Sequence, residues 1–465
     1  MSDQTANWVI MVYISADRVL TNFAVESLKQ LKRAASEETV ALIQVHSSND
    51  EARRYVFNGK SAAGSSIDDD LVSPILPPLS PGGIADPANL TKFIEWASRY
   101  EAKHRCLFLW GHGYELLLNE DDQGSSKSSG RKYLTPNGLR EALENAQGSP
   151  QARLDIIGID ACSMSLVELA SELVDYGDFL VASQEDVPDQ SFPYEAVLRT
   201  VDARPADGVE EVSMALPRLY REAYQDYAVG EGMGTAEITL TSVRLKNVGR
   251  ITEVLRALST ALISSVDDPP LYREILAARQ ESREFALGLF VDLKDFCLRL
   301  SEKLAGGELK VACDAVCRAI EDRGAAACIL ENRSGGKNGV SECHGLSIYM
   351  PYLAKTQLDN AQKAFMNDGT DLVEQLPLLI KGGTNHLLKA RSVRISEIEK
   401  DFDALTEFKG TRWIEFIKHG WSVILAREEA NELDDHYSAQ QCAANLLSLC
   451  GPSSAIASRK VAAGS

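Results

Sequence analysis

Short runs of consecutive apolar residues alternate along this chain with stretches whose apolar positions recur every three or four residues. Residues 8–14 (WVIMVYI) form the first run and predict a buried strand, and from Thr21 the spacing of Phe23, Leu28 and Leu31 predicts a helix. Strands are expected again over 40–46 (VALIQVH) and 53–57 (RRYVF), before a Gly, Ser and Pro-rich loop from Asn58 to Asp86. Asp86-Pro87 opens a helix, with Asp as N-cap and Pro in the first turn. The run Cys106–Trp110 ends abruptly in Gly111-His112-Gly113, and a polar linker without periodicity follows. Thr135-Pro136 opens a helix that extends to Ala146, and residues 154–161 (LDIIGIDA) make a buried strand directly before Cys162. Ser165 with Glu168 three residues on reads as the capping box of the next helix, and Phe179 to Ser183 as one more strand.

Alternation of this kind, with near-continuous apolar strands, predicts an α/β fold: a mostly parallel sheet with helices on both faces. Ligands of such sheets bind beyond the carboxyl ends of the strands. His112 and Cys162 both fall there, fifty residues apart, about the length of one strand-helix-strand unit, so their strands can be neighbours. A thiol of pKa about 8.5 becomes a useful nucleophile when an imidazole or a helix N-terminus favours its thiolate. Cys162 has both candidates in His112 and the helix expected from Ser165. The amides of Gly113 and Cys162 are candidate donors to a developing oxyanion, with no side chain at 113 to obstruct a carbonyl. The plainer alternative is that Cys162 is a small buried hydrophobe, as free cysteines commonly are. His344-Gly345 and His419-Gly420 repeat the dipeptide, but His344 precedes its apolar run and His419 follows a helical stretch.

Composition narrows the function. At 465 residues the chain is long enough for two or three domains, and a formal charge of -19 argues against nucleic acid or an anionic membrane as partner. The first apolar run is too short for a signal or membrane segment and lacks a basic flank, so a cytoplasmic protein is expected. Nine cysteines are too sparse for a disulfide framework. Cys313 and Cys317 are one helical turn apart and Cys442 and Cys450 two, without histidine at zinc-site spacing, so no metal site is expected. Acidic stretches at 67–70 (IDDD) and 119–122 (NEDD) leave calcium open as a ligand, with solvated loop charge as the alternative.

"FLWGHG" followed by "IDACSMSLVELASEL" resembles the two active-site blocks of the clostripain-like cysteine peptidases, relatives of caspases, legumains, gingipains and separases. The resemblance extends to "WVIMVYISAD", "NLTKFIEWASRY", "FVDLKDFCLRL" and "GLSIYMP", and covers about residues 8–355. It implies a caspase-like three-layer sandwich, with Cys162 as nucleophile, His112 as general acid and base, and the Gly113 and Cys162 amides as oxyanion hole. It implies a protein or peptide substrate with a basic residue before the scissile bond; calcium aside, no cofactor is expected. By the same resemblance Asp160 lines the pocket for that residue, where a carboxylate favours Arg over Lys; a solvated turn carboxylate is the alternative. A second acidic residue is implied in "SQEDVPDQSFPY", where Glu185, Asp186 and Asp189 are available and Asp189 is preferred. Gly111, Tyr114 and Ser163 depart from the common family pattern without removing a catalytic group.

Several such peptidases cut themselves between the two blocks. Here the linker from Asn119 to Leu134 offers Lys127, Arg131 and Lys132 as autoprocessing candidates in a zymogen. The chain is expected to divide into a catalytic core over 1–205, a region over 206–390 that packs on or extends the sheet, and a charged segment over 391–465 with a frayed tail. Two other functions remain open from sequence. A catalytically silent scaffold would be expected to have lost His112 or Cys162. A nucleotide-binding protein should carry a Gly-rich turn after the first strand, and "YISADRVLTN" has none. Nothing in the sequence sets an oligomeric state.

Overall fold

The computed structural model describes residues 5–16, 20–47, 52–61, 66–67, 71–73, 85–113, 134–148, 153–204, 208–226, 237–286, 289–336, 343–351 and 404–420. Its strands are β1 Ala6–Ala16, β2 Thr39–Ser47, β3 Ala52–Phe57, β4 Leu71–Ser73, β5 Ala102–Trp110, β6 Leu154–Asp160, β7 Gly177–Ala182, β8 Ile238–Arg244, β9 Glu284–Phe285, β10 Phe290–Asp292, β11 Ile329–Gly335 and β12 Ser347–Tyr349. Its helices are α1 Thr21–Ala34, α2 Pro87–Ala97, α3 Pro136–Ala146, α4 Val167–Glu172, α5 Tyr194–Asp202, α6 Val209–Tyr224, α7 Val248–Val266, α8 Pro269–Glu281, α9 Leu293–Lys303 and α10 Glu308–Glu321.

The chain divides into two compact units. The first comprises Met1–Tyr227, Thr235–Thr252 and Arg318–Ile348, and holds a nine-stranded sheet of order β11-β8-β7-β6-β5-β1-β2-β3-β4. Strands β2, β1, β5, β6 and β7 run parallel, and antiparallel pairs close both edges. The parallel strands are buried on both faces, which is why β1 reads as an unbroken apolar run: Trp8 to Ile14 are all 0–1% exposed. Side chains alternate across the sheet. Trp8, Ile10, Val12 and Ile14 join Leu28 and Leu31 of α1, Val197 and Leu198 of α5, and Val212 and Leu216 of α6 in one core. On the opposite face Tyr13 meets Phe93 of α2, with ring centroids 5.5 Å apart, and α3 and α4 continue that layer. The second unit contains α8, α9, the antiparallel β9–β10 pair and Trp413, whose indole N–H donates to the Tyr349 carbonyl at 2.6 Å.

Capping at two of the expected helix starts is as the sequence suggests. Asp86 accepts from the Ala88 amide and Thr135 from the Gly138 amide, each followed by proline at the first helical position. The capping box at Ser165 does not form. Helix α4 begins at Val167 with Leu166 as an uncapped N-cap, and it has only six residues. Residues 165 and 166 are instead used as extended chain: Leu166 bridges Ser347 in parallel, the Ser347 amide donates to the Ser165 carbonyl at 2.8 Å, and the Ser165 hydroxyl donates to the Gly345 carbonyl at 2.6 Å. Tertiary pairing thus claims the hydroxyl that local sequence assigns to a cap. The loop expected from Asn58 to Asp86 contains β4, which pairs antiparallel with β3 at the sheet edge. Among the described residues no helix is long and apolar enough to cross a membrane.

Phe108 on β5 sits opposite Gly158 on β6, and a Cβ at 158 would collide with its ring. The ring packs edge-on against Phe192 and Tyr194 at 5.8 and 5.7 Å. Gly158→Ala must displace this aromatic layer, so a loss of about 1–3 kcal/mol in unfolding free energy is expected by denaturant titration, with a lower melting temperature.

Candidate active site

Parallel pairing brings the two sequence blocks together. Five successive pairs, from Cys106↔Ile156 to Trp110↔Asp160, lock β5 to β6, and the Gly111 amide continues the ladder to the Asp160 carbonyl at 3.3 Å. His112 and Cys162 each lie two residues beyond the last pair and so leave the sheet side by side, on strands about 4.8 Å apart. Both are half-buried. Gly113 is packed so closely on the Cys162 peptide that a Cβ would strike its nitrogen and oxygen, which accounts for glycine at this position.

The segment after β7 covers the thiol. The Val187 amide donates to Cys162 Sγ at 3.3 Å, with the Val187 carbonyl 4.0 Å from the same sulfur. The Ser163 amide donates to the Glu185 carbonyl at 3.1 Å, and the Ser183 hydroxyl to that same carbonyl at 2.8 Å. Thr239 of β8 accepts from the Gln184 and Glu185 amides at 2.9 and 3.0 Å, so the segment is anchored to the sheet. Ser163, next to the cysteine, has φ +59°, a left-handed conformation that costs a non-glycine residue of order 1 kcal/mol and is held by this surrounding network.

The thiol in this arrangement is not activated. Burial pushes its pKa well above the ordinary cysteine value, Asp186 and Asp189 push it the same way, and hydrogen bonds from the Val187 and Gly113 amides only partly offset them. The expected help from a helix N-terminus is absent, because α4 starts five residues later and is a turn and a half long.

Asp160 is 1% exposed. It is the last residue of β6, on the same face as Ile156, and points toward α5 and α6. Its Oδ2 accepts from the Ser191 hydroxyl, from the Phe192 amide at 3.0 Å and from the Tyr194 hydroxyl at 2.9 Å. Its Oδ1 is buried and has no hydrogen-bond partner among the described residues. Burial raises its pKa to about 7, against the lowering effect of the three donors. This is a held, desolvated carboxyl and not a solvated turn charge.

Asp186 and Asp189 both lie within electrostatic reach of the thiol, Asp186 exerting the larger effect. The Asp186 amide donates to Glu185 Oε1 at 3.1 Å. Lys127, Arg131 and Lys132, the acidic stretch at 119–122, and Asp68, Asp69 and Asp70 lie outside the described residues. Among the described residues no group of three or more His, Cys, Asp or Glu side chains is arranged to hold a metal. Sequence reasoning did not single out Ser191, Tyr194 or Val187. They act through backbone placement and single hydroxyls in "VPDQSFPY", and the only local sign, the left-handed Ser191 at φ +72°, is conformational.

No curated protein matches the chain. Among solved structures it is similar to an inactive zymogen C11 protease from Parabacteroides distasonis, at 20% identity and TM-score 0.54, covering 76% of this chain and 94% of that one. A secreted C11 cysteine protease from Bacteroides thetaiotaomicron, bound to an irreversible peptide inhibitor, aligns at 18% identity and TM-score 0.51 over 74% of this chain and 93% of its own. These likenesses concern the fold. The clostripain family model, peptidase C11, matches residues 12–419, which takes in both strand ends and the covering segment. The chain therefore belongs to the clostripain family and is a cysteine peptidase.

Proposed function

We propose that this peptidase cleaves polypeptides after arginine, and less readily after lysine, through Cys162 and His112. The open, buried Oδ1 of Asp160, two residues before the nucleophile, carries this reading. A desolvated carboxyl with one saturated and one unpartnered oxygen is poorly satisfied until a cation arrives, and a charge-assisted hydrogen bond there is worth more than one at the surface.

On substrate entry the peptide displaces Val187 from the sulfur. His112 takes the Cys162 proton, the thiolate attacks the carbonyl carbon, and the Gly113 and Cys162 amides stabilise the oxyanion. The imidazolium then protonates the leaving amine, and water, activated by the neutral imidazole, hydrolyses the acyl-enzyme. The capped, neutral thiol suits a resting or precursor state. Self-cleavage after Lys127, Arg131 or Lys132 is the activating step we favour, and one structural neighbour is itself described as a zymogen.

Hydrolysis of fluorogenic peptides ending in Arg, Lys or Asp tests the proposal directly. Wild type is expected to cleave Arg above Lys and to ignore Asp, while Cys162→Ala and His112→Ala lose at least about a thousandfold. Cleavage that survives in Cys162→Ala, or a preference for Asp, would sink it. Electrophoresis of the same samples should show two fragments in wild type and one chain in Cys162→Ala; a fully active single chain excludes self-processing.

Ionisation of Asp160 adds a pH test. Its folded pKa of about 7 lies above the ordinary 3.8, so the empty protein favours the protonated form, and its ionisation erodes stability as pH rises from about 4 to 7. A guanidinium guest favours the ionised form, so binding must tighten as pH rises. The inhibition constant of benzamidine, competing with an arginine substrate, is expected to fall about tenfold between pH 6 and 8 and then level off. In Asp160→Asn that dependence disappears and binding is weak throughout.

A further inference from the structure

We propose that the hydroxyl of Tyr220 on α6 is a second acceptor for the cationic side chain that enters beside Asp160, and that it selects a guanidinium over an ammonium. This inference rests on the basic-residue specificity proposed above and adds to it a residue from a different element.

Three tyrosine hydroxyls converge on this end of the sheet, and two are committed. Tyr194 donates to Asp160 Oδ2 at 2.9 Å, and Tyr224 donates to the Ser191 carbonyl at 2.6 Å. Tyr220 is 1% exposed and its hydroxyl has no hydrogen-bond partner among the described residues. Its ring packs on Phe192, whose amide holds Asp160, with centroids 5.6 Å apart, and on Tyr224 at 5.1 Å. Its hydroxyl lies on the same side of the sheet as Asp160 and within electrostatic reach of that carboxyl. Burial keeps the phenol neutral.

A buried polar atom without a partner is unfavourable, and Asp160 Oδ1 and the Tyr220 oxygen are two such atoms on one face of the sheet, which a single guest could satisfy. A guanidinium presents five N–H donors in a rigid plane, more than one open carboxylate oxygen can accept. A phenol oxygen accepts through its lone pairs and can turn its own proton toward Asp160 once that carboxyl is ionised. An ammonium is a compact point charge and gains less from a second acceptor held in a fixed plane.

Tyr220→Phe removes the oxygen and keeps the ring packing. The measurement is kcat/KM on matched peptides with arginine, lysine or citrulline before the scissile bond, for wild type and variant, with melting temperatures alongside. The expected result is a fall of about tenfold in the arginine-to-lysine ratio of the variant, with its melting temperature not lowered. Equal losses on both basic peptides, or no loss, would overturn the role of Tyr220 while leaving basic specificity standing. A wild type that cleaves citrulline as well as arginine would overturn the parent reading and this one together. Should Tyr220→Phe fail to fold, wild type decides alone with ω,ω-dimethylarginine, which keeps the charge and loses donors. Lysine-like rates on it support the inference, and arginine-like rates defeat it.

Discussion

The register of two parallel strands is the constraint on which the rest of the site depends. Phe108 opposite Gly158 and Trp110 opposite Asp160 fix the height at which each chain leaves the sheet, and a slip of one residue would turn every side chain of β6 to the other face. Such a slip would carry Asp160 away from Ser191 and Tyr194 and press Ile159 into their place. The close fit of Phe108 over Gly158 works against it, because only glycine leaves room for that ring. Core packing on one face of the sheet and chemistry at its end are therefore set by the same pairs.

Asp160 shows how the surrounding fold tolerates an unfavourable group. A carboxyl at the end of a buried strand resists ionisation, and Ser191, Phe192 and Tyr194 together compensate only in part, leaving its pKa near 7. These donors come from the turn that enters α5, and Tyr224 of α6 holds that turn through the Ser191 carbonyl. The helices on this face thus orient the carboxyl as well as cover the core. Ser191 and Ser163 are both left-handed, one in the segment after β7 and one beside the cysteine, so two of the four left-handed non-glycine residues among the described residues lie near the thiol.

Much of this was legible in the sequence, for reasons particular residues make plain. The parallel strands are buried on both faces and leave unbroken apolar runs, so β1, β5 and β6 could be read directly, and Gly-His-Gly at a strand end marked the cleft. Asp86-Pro87 and Thr135-Pro136 are local signals and gave true helix starts. Ser165 and Glu168 carried an equally good local signal that failed, because Gly345 and Ser347, about 180 residues away, compete for the same groups. Ser191, Tyr194 and Tyr220 were invisible for a related reason: each is one hydroxyl whose meaning depends on a carboxyl 31, 34 or 60 residues earlier.

The state of the thiol follows from the same layout. Local sequence suggested a helix N-terminus behind Cys162, which would have favoured the thiolate without substrate. The fold spends those residues on pairing with Ser347 and surrounds the sulfur with burial, Asp186 and Asp189, all of which oppose negative charge. A neutral thiol beneath the Val187 peptide is protected from indiscriminate reaction. Under the proposed mechanism, charge on sulfur becomes favourable when the cation of a basic substrate offsets the aspartates and His112 accepts the proton. Of the acidic residues, Asp160 is the one the proposed specificity rests on, whereas Asp186 and Asp189 raise the thiol pKa; should Asp189 join Asp160 in recognition, one charge would serve both specificity and restraint.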